Sequence, residues 1–588
     1  MRTRQTQQTV FCVNRLTILT GLQGSGPRIS GQEQMLRSRR HIHETAYHPS
    51  SERPAASPLS RQPALHVNKH KRPRSLCLPI PASRCSREPG RSPFPSLDAR
   101  RFSHLMTRFL ASPGTWLFWV LVLVVALAPL HLGGNRPLPA AMIALAAGLL
   151  LLSWAAITLW RGSINTDQAL ARRLKWPGVL FGLVALWIII QWAPLGFAGH
   201  PLWQVTGDAL GLDLPGRITI HPDATLAALS SLLGYGAVFW LSLELGADAT
   251  RARQARNAAI AIGGVYALYG LVSFFAGNGL IPAYFGSGRM NALTSTFVNR
   301  NSYATFAGLA LLCAASLFIE RVRHIFSIGR PLRQKIALAV ETLTYRGRWV
   351  TAAFLIIALA LLLTASRGGI ISSLTALFAL VLLQARTRTG GSGRRGAVAV
   401  LTLILMGTTL VIAGGNFLER IDRQGLSVEN GLRATIFATT LEAIETAPLA
   451  GTGYGTYADA IEAYRPPGSN IFIRWERAHN TYLENALELG IPAASALAIA
   501  IFWLAVICFN GVKIRRRNRA YPALGVSATL LVGIHSLVDF SLQMPATAVF
   551  YAFIMGIAVA QSVRPSSRRR DSNADNEASA PPPDIAPQ

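Results

Sequence analysis

Apolar runs of about 20 residues, separated by short polar connections, occupy most of the chain after residue 113. A helix that crosses a hydrocarbon core about 30 Å thick needs about 20 apolar residues. The pattern therefore predicts an all-α polytopic membrane protein with about 12 transmembrane helices. The predicted spans are 114–132, 138–160, 176–197, 224–245, 256–277, 302–320, 349–366, 369–385, 397–414, 486–510, 522–540 and 545–563.

Lysine and arginine are distributed unevenly between the two sets of connections. One set carries 27 of them, in 161–175, 251–256, 321–348, 386–395, 513–519 and 564–570. The short connections of the other set carry five, namely Arg136, Arg217, Arg289, Arg300 and Arg367. Because basic residues are retained on the cytoplasmic side, both termini are predicted in the cytoplasm. Residues 415–484 then lie outside, which is the periplasm if the cell is Gram-negative, and the predicted location is the inner (cytoplasmic) membrane of a bacterium.

The composition agrees with this topology. The chain is 51% hydrophobic with a mean hydropathy of +0.32. Its net charge of +29 would suit a nucleic-acid partner. However, 18 of the 57 basic residues precede residue 106, and most others follow the topology pattern, so no nucleic acid is predicted. The five cysteines have no metal-ligand spacing, so no metal site is predicted.

Five regions follow from these patterns. Residues 1–105 are rich in Arg, Ser and Pro and are predicted to form a basic disordered extension, with Met106 as the expected true start. Residues 106–414 form the bundle of spans 1–9, and 485–563 form spans 10–12. The outer loop 415–484 separates them, and 564–588 form a disordered cytoplasmic tail.

The outer loop contains its own helical pattern. Apolar residues recur at helical spacing, which predicts an amphipathic helix that begins near Arg433 and ends before Gly451. The apolar positions are Leu432, Ile436, Phe437, Leu441 and Ile444. The loop is therefore expected to be partly helical.

His479 is the strongest candidate for chemistry. It is the only histidine of the outer loop, it lies beside Arg477 and Glu484, and it is predicted to share a helical face with Leu483 at the mouth of a span. An imidazole can accept a hydroxyl proton near neutral pH. The alternative is a structural histidine.

Two arginine motifs lie on the same predicted side. Ser366-Arg367-Gly368-Gly369 makes a tight turn between spans, where Arg367 could bind a lipid phosphate or extend toward headgroups. Arg300 lies between Asn299 and Asn301, and these three side chains could face a polar head group. The alternative is that Asn299 only caps a helix.

Two further features have structural interpretations. The run Gly451-Thr452-Gly453-Tyr454-Gly455 follows no strand, so a tight turn is favoured over a nucleotide loop. His535 and Asp539 lie one turn apart in the predicted span 522–540 and are expected to form a buried pair, and the alternative is a supporting or proton-handling role.

Taken in order, these segments resemble the O-antigen ligase and Wzy-type polymerase superfamily. The resemblance covers roughly 280–560 and rests on Phe297-Val298-Asn299-Arg300-Asn301, Ser366-Arg367-Gly368-Gly369, Arg433, Pro448-Leu449-Ala450-Gly451-Thr452-Gly453-Tyr454-Gly455, His479-Asn480-Thr481-Tyr482-Leu483-Glu484 and the segment from His535 to Phe540. It implies a GT-C-like, metal-independent glycosyltransferase with no cofactor. The implied donor is an undecaprenyl-diphosphate-linked glycan. The implied acceptor is a lipid A-core sugar for a ligase or a growing glycan for a polymerase.

The resemblance also implies roles for individual residues. His479 would act on the acceptor hydroxyl, and Arg367 and Arg433 would bind the diphosphate. The predicted substrate-binding residues are Asn299, Arg300, Asn301, Gly453, Gly455, Arg477, Asn480, Tyr482 and Glu484. A protein O-oligosaccharyltransferase and a lipid-linked oligosaccharide transporter remain alternatives, although no internal repeat of the transporter kind is evident.

Overall fold

The computed structural model describes residues 113–161, 168–276, 292–327, 331–341, 345, 347–385, 423–467, 474–515 and 518–563. Within these ranges the chain is helical and contains no β-strand. The predictions for 1–105, for the ninth span 397–414 and for 564–588 fall outside the described residues.

The α-helices of the described part are numbered here in chain order. They are α1 (Pro113–Leu127), α2 (Pro137–Trp160), α3 (Gln168–Trp192), α4 (Leu202–Leu210), α5 (Pro222–Leu245), α6 (Ala249–Phe275), α7 (Arg300–Ser327), α8 (Leu332–Glu341), α9 (Arg348–Leu363), α10 (Arg367–Ala385), α11 (Arg423–Thr446), α12 (Tyr457–Ala460), α13 (Thr481–Leu489), α14 (Ile491–Ile514), α15 (Ala520–His535) and α16 (Pro545–Ala560). Short 3₁₀ turns cover Leu132–Gly134, Gly196–Ala198, Ile461–Tyr464 and Ser541–Gln543.

The apolar helices match the predicted spans. Among the described residues, α2, α3, α5, α6, α7, α10 and α14 are long and apolar enough to cross a membrane, and α1, α9, α15 and α16 are shorter apolar helices. Each of these overlaps one of the predicted spans. The protein is therefore an all-α, multi-pass membrane protein.

Two helices form the centre of the bundle. Every residue of α16 is buried, and 89% of the apolar window of α7 is buried, whereas α2 is only 11% buried. α16 packs on α5 and α15, while α7 packs on α9, α10 and α15. Aromatic rings lock these helices together near the start of α7, where the Phe306 ring lies 4.6 Å from Phe550 and 5.3 Å from Phe297. In lipid, such packing contacts rather than water exclusion hold helices together.

Among the helix ends that differ from prediction, two lie close to the predicted site residues. The predicted span 486–510 is interrupted at Gly490, whose φ of +77° ends α13 before α14 begins. A Cβ at Gly490 would lie 2.2 Å from the Leu449 carbonyl oxygen, so the break follows from a close backbone approach that periodicity does not reveal. The predicted span 522–540 ends already at His535, which leaves Asp539 in the following turn.

Candidate active site

Several helix ends converge at one end of the bundle. The Leu293 amide donates to the Leu363 carbonyl at 3.0 Å, which joins the segment before α7 to the end of α9. Thr481, the first residue of α13, donates its amide to the Ser536 carbonyl at 2.9 Å and its hydroxyl to the Asp539 carbonyl at 3.1 Å. A hydrogen bond from Asn301, at the start of α7, to Asp539 joins the two pairs. Four segments that are distant in sequence therefore meet, and they carry most of the predicted site residues.

His479 lies just before α13 and not within it. Asn480 caps the helix by accepting the amides of Tyr482 at 3.0 Å and Leu483 at 3.2 Å. The expectation that His479 shares a helical face with Leu483 is thus wrong, because the cap residue separates His479 from the helix. The φ of His479 is +53°, a left-handed conformation that is costly for a residue with a side chain.

The His479 side chain faces a buried carboxylate. Its Nδ1 lies 4.0 Å from Asp539 Oδ1, and its ring packs edge-on against Phe540 with the centroids 5.1 Å apart. The His479 side chain is 33% exposed, while that of Asp539 is fully buried. The imidazole can therefore meet a substrate on one side while a carboxylate stabilises its protonated form on the other.

Hydrogen bonds extend from Asp539 into the bundle. Asp539 Oδ2 accepts from Ser541 Oγ at 2.6 Å, Thr305 Oγ1 donates to Ser541 at 2.8 Å, and Thr305 Oγ1 lies 2.5 Å from His535 Nδ1. If His535 Nδ1 carries its proton, each donor in this chain has an acceptor. His535 and Asp539 were expected to pair directly. Because α15 ends at His535, two hydroxyl groups join them instead.

Asn301 connects this network to the turn before α10. Its amide nitrogen donates to Asp539 Oδ1 at 3.4 Å, and its oxygen accepts from Ser366 Oγ at 2.8 Å. Ser366 also accepts the Gly369 amide at 3.2 Å. A Cβ at Gly369 would lie 2.5 Å from the Ala304 Cβ, so glycine is needed for α10 to lie this close to α7.

Three arginines lie around the network. Arg367 is exposed at the first residue of α10, beside Ser366, and Arg300 is half-buried at the first residue of α7. Arg433 is half-buried on α11, close enough to His535 to act on it electrostatically. Asn299 Oδ1 accepts a hydrogen bond from the Ser302 amide at 2.8 Å. Asn299 therefore caps α7, in agreement with the alternative given for it from the sequence.

Glu484, in the first turn of α13, forms an ion pair with the partly exposed Arg477. Glu484 is fully buried, and its Oε1 accepts from Arg477 Nη1 at 2.8 Å while Oε2 accepts the Ala478 amide at 3.1 Å. Burial raises the pKa of Glu484 against the opposing effect of Arg477. Burial acts against the charge of Arg477, but the carboxylates of Glu484 and Glu488 raise its pKa. The Tyr482 hydroxyl donates to the Gly533 carbonyl at 2.9 Å, which fixes α13 on α15.

One turn further on, Glu488 is also buried. Its Oε1 accepts the Tyr457 amide at 2.9 Å. Burial and the neighbouring Glu484 raise the pKa of Glu488 to about 8. Two buried carboxyl groups thus lie near one arginine, and burial favours the protonated form of Glu488.

The glycine run is a tight turn packed against protein. Gly451, Gly453 and Gly455 all have positive φ, and a Cβ at Gly453 would lie 2.2 Å from Thr219 Oγ1. The Gln191 amide nitrogen donates to the Ala450 carbonyl at 2.8 Å, and its oxygen accepts the Tyr454 amide at 3.2 Å. These contacts agree with the tight-turn interpretation. They do not test the prediction that Gly453 and Gly455 bind substrate.

A mostly apolar cavity of about 510 Å³ opens beside the site. It lies between α14 and α15, and Ala494, Ala498, Ile501 and Val526 are among the residues of its apolar wall. Thr481, which is hydrogen-bonded to Asp539, belongs to the same lining. The cavity lining thus includes a residue that is hydrogen-bonded to the main chain of Asp539.

Sequence reasoning missed several residues of the network. Thr305 and Ser541 are ordinary hydroxyl residues, and no sequence signal marks them. Gln191 could have been found, because an amide near the end of an apolar span needs hydrogen-bond partners where it is buried. Glu488 follows Glu484 by four residues, which is helical spacing, and this could have suggested a shared environment.

Residues 352–498 match the model of a protein family described as O-antigen ligase. The matched segment contains Arg367, Arg433 and His479 together with the glycine turn. No curated protein matches the chain.

Proposed function

We propose that this chain transfers a glycan from undecaprenyl diphosphate to an acceptor hydroxyl. The premise is that it belongs to the O-antigen ligase superfamily, whose family model its residues 352–498 match. The family implies glycosyltransferase-like ligase or polymerase activity in general. The observation that carries the proposal is the partly exposed His479 beside the fully buried Asp539, where the helix ends meet. The reaction is assigned to the periplasmic face of the inner membrane.

The proposed mechanism is a single displacement with inversion, as in metal-independent GT-C-type enzymes. The acceptor oxygen attacks the anomeric carbon of the donor sugar, and the bond from that carbon to the diphosphate oxygen breaks. The proton of the acceptor hydroxyl passes to His479, and Asp539 stabilises the resulting imidazolium. Undecaprenyl diphosphate leaves with the electron pair.

Arginines are assigned to the leaving group. Arg367 and Arg433 balance the charge that develops on the diphosphate, because a guanidinium can bind phosphate oxygens through two hydrogen bonds. Arg300 and Asn301 lie beside the same network and are assigned to the head group of the donor. No cofactor is needed in this scheme, since the diphosphate is already an activated leaving group.

The cavity between α14 and α15 supports a lipid-linked donor. Its wall is mostly apolar, and its lining includes Thr481 next to the Asp539 network. A polyprenyl chain in the cavity would keep the diphosphate at the end of the bundle where the arginines lie. We assign the cavity as the binding site of the polyprenyl chain.

The acceptor is assigned to the lipid A-core, which makes the protein an O-antigen ligase of lipopolysaccharide biosynthesis. The test is deletion of its gene in the native bacterium, followed by analysis of lipopolysaccharide on a gel and of the lipid-linked glycan pool. Bare core with long glycan accumulating on the undecaprenyl carrier is the expected result. Core with one repeat unit, or loss of a separate exopolysaccharide, would instead identify a Wzy-type polymerase.

Two other outcomes would exclude both the ligase and the polymerase. Unchanged lipopolysaccharide with loss of glycan from a periplasmic protein would identify a protein O-oligosaccharyltransferase. Glycan trapped on the cytoplasmic face would identify a transporter, and the enzyme assignment would be wrong.

A further inference from the structure

Glu484 is directed back toward the segment that precedes its own helix. Both of its carboxylate oxygens are engaged there, one by Arg477 and one by the Ala478 amide. Its position in the first turn of α13 is favourable for a carboxylate, because the amide dipoles of a helix place positive charge at its start. Glu484 therefore joins the beginning of α13 to the residue immediately before His479.

The backbone on both sides of His479 is anchored. Glu484 holds the Ala478 amide on one side. On the other side, Asn480 caps α13 and the Thr481 amide donates to the Ser536 carbonyl. A left-handed φ at a residue with a side chain costs of order 1–3 kcal/mol and persists only where its surroundings impose it. The φ of +53° at His479 is therefore maintained by these anchors.

We propose that Glu484 is a positioning residue whose carboxylate holds the Ala478 amide, and with it the backbone of His479, so that the imidazole stays beside Asp539. This inference rests on the proposed function, in which His479 receives the acceptor proton. Glu484 itself does not touch the substrate, which differs from the substrate-binding role expected from the sequence. Its loss should lower kcat and leave the KM for the donor unchanged.

A rival explanation is that Glu484 only neutralises the charge of Arg477. A matched pair of double variants separates the two explanations, namely Arg477→Gln with Glu484→Gln and Arg477→Gln with Glu484→Leu. Both lack the ion pair and carry the same charge. Only the double variant with Glu484→Gln keeps a side-chain oxygen that can accept the Ala478 amide, so a difference in kcat between them reports on backbone positioning.

The experiment measures transfer by the purified full-length protein, with lipid-linked glycan and lipid A-core extracted from the deletion strain. Glu484→Leu is expected to lower kcat about tenfold or more, because small displacements of a reacting group are costly, with the donor KM within about twofold. Glu484→Gln should fall between this variant and the wild type. The double variant with Glu484→Gln should exceed its Leu counterpart. Glu445→Leu, at an exposed position of α11, is the control and should match the wild type.

Wild-type kcat in Glu484→Leu, or equal kcat in the two double variants, would overturn the proposal. If Glu484→Leu does not fold, Glu484→Met replaces it, because Met has the length of Gln without an acceptor oxygen, and a kcat equal to that of Glu484→Gln overturns the proposal instead. His479→Ala is assayed in parallel. An inactive His479→Ala beside a fully active Glu484→Leu refutes only the positioning role, whereas transfer by His479→Ala at the wild-type rate refutes the proposed mechanism as well.

Discussion

At His479 one side chain has to meet two requirements of the proposed reaction. The imidazole must reach the acceptor hydroxyl, and its protonated form must be stabilised after it takes the proton. Partial exposure serves the first requirement, and the buried Asp539 carboxylate 4.0 Å away serves the second. Because Asp539 is itself held by Asn301 and Ser541, its position is fixed before any substrate arrives.

His479→Ala is expected to lower kcat by roughly 10²–10⁴-fold, the usual contribution of a general base. The measurement is glycan transfer in membranes, with protein abundance followed by immunoblot. His221→Ala is the matched control, because His221 is an exposed histidine that pairs with Asp459. Retention of transfer by His479→Ala, or an equal loss in His221→Ala, would contradict the assignment.

Glu488 gives a prediction on the pH dependence of stability. Its pKa is raised from 4.5 to about 8 by burial and by Glu484, in an environment that also includes Arg477, Tyr454 and Tyr457. Between these two pH values the folded protein retains a proton that the unfolded chain has lost. The free energy of unfolding should therefore fall as pH rises from about 4.5 to about 8, by at most about 1.4 kcal/mol per pH unit, and level off above.

Glu488→Gln removes this titration while preserving the size of the side chain. Thermal unfolding of both proteins in detergent at pH 5, 6.5 and 8 provides the measurement. The melting temperature of the wild type should fall with pH more steeply than that of Glu488→Gln. Parallel curves for the two proteins would show that Glu488 is already ionised in the folded state.

At the level of helices, hydrophobic runs were a reliable guide, because a backbone in lipid must satisfy its hydrogen bonds within a helix. The ends of helices were not predicted as well. The stop at Gly490 depends on the approach of Leu449, and the stop at His535 precedes a turn whose Asp539 and Ser541 are fixed by α7. Such ends are set by neighbouring segments that a local apolar pattern does not contain.

The cavity between α14 and α15 can be tested as the binding site of the polyprenyl chain. Ala498→Trp places an indole in the cavity and should raise the KM for the polyprenyl donor severalfold with little change in kcat, because it removes binding along the chain away from the reacting atoms. Ile499→Trp is the control, since Ile499 is exposed on the same helix and does not line the cavity. Measurement of donor KM for both variants tests the assignment.

A donor with a shortened prenyl chain refines this test. It should be used almost equally well by Ala498→Trp and by the wild type, because it does not fill the cavity. Equal KM values for the long-chain donor in Ala498→Trp and Ile499→Trp would exclude the cavity as the binding site of the chain.

For the whole molecule, the order of motifs indicated the site better than any single residue did. The roles of His479, Arg367 and Arg433 were predicted from the order of their motifs in the family resemblance. Thr305 and Ser541 were not, since hydroxyl residues are common in membrane helices and only the packing of α7 against the turn before α16 brings them together. The candidate reactive groups could thus be predicted from the sequence, while the hydrogen-bond network beside His479 could be found only from the fold.

The orientation of the molecule in the membrane can be measured by cysteine labelling. The helix ends that meet at the site all lie on one predicted side of the membrane. The distribution of basic residues places that side outside the cytoplasm. In a chain whose five cysteines are replaced by serine, Glu445→Cys lies on this side and Gln254→Cys lies at the opposite, basic connection, and both positions are exposed. A membrane-impermeant maleimide should label Glu445→Cys in cells with a permeabilised outer membrane and label Gln254→Cys only after the inner membrane is disrupted. The reverse result would place His479 in the cytoplasm, where a periplasmic transfer reaction could not use it.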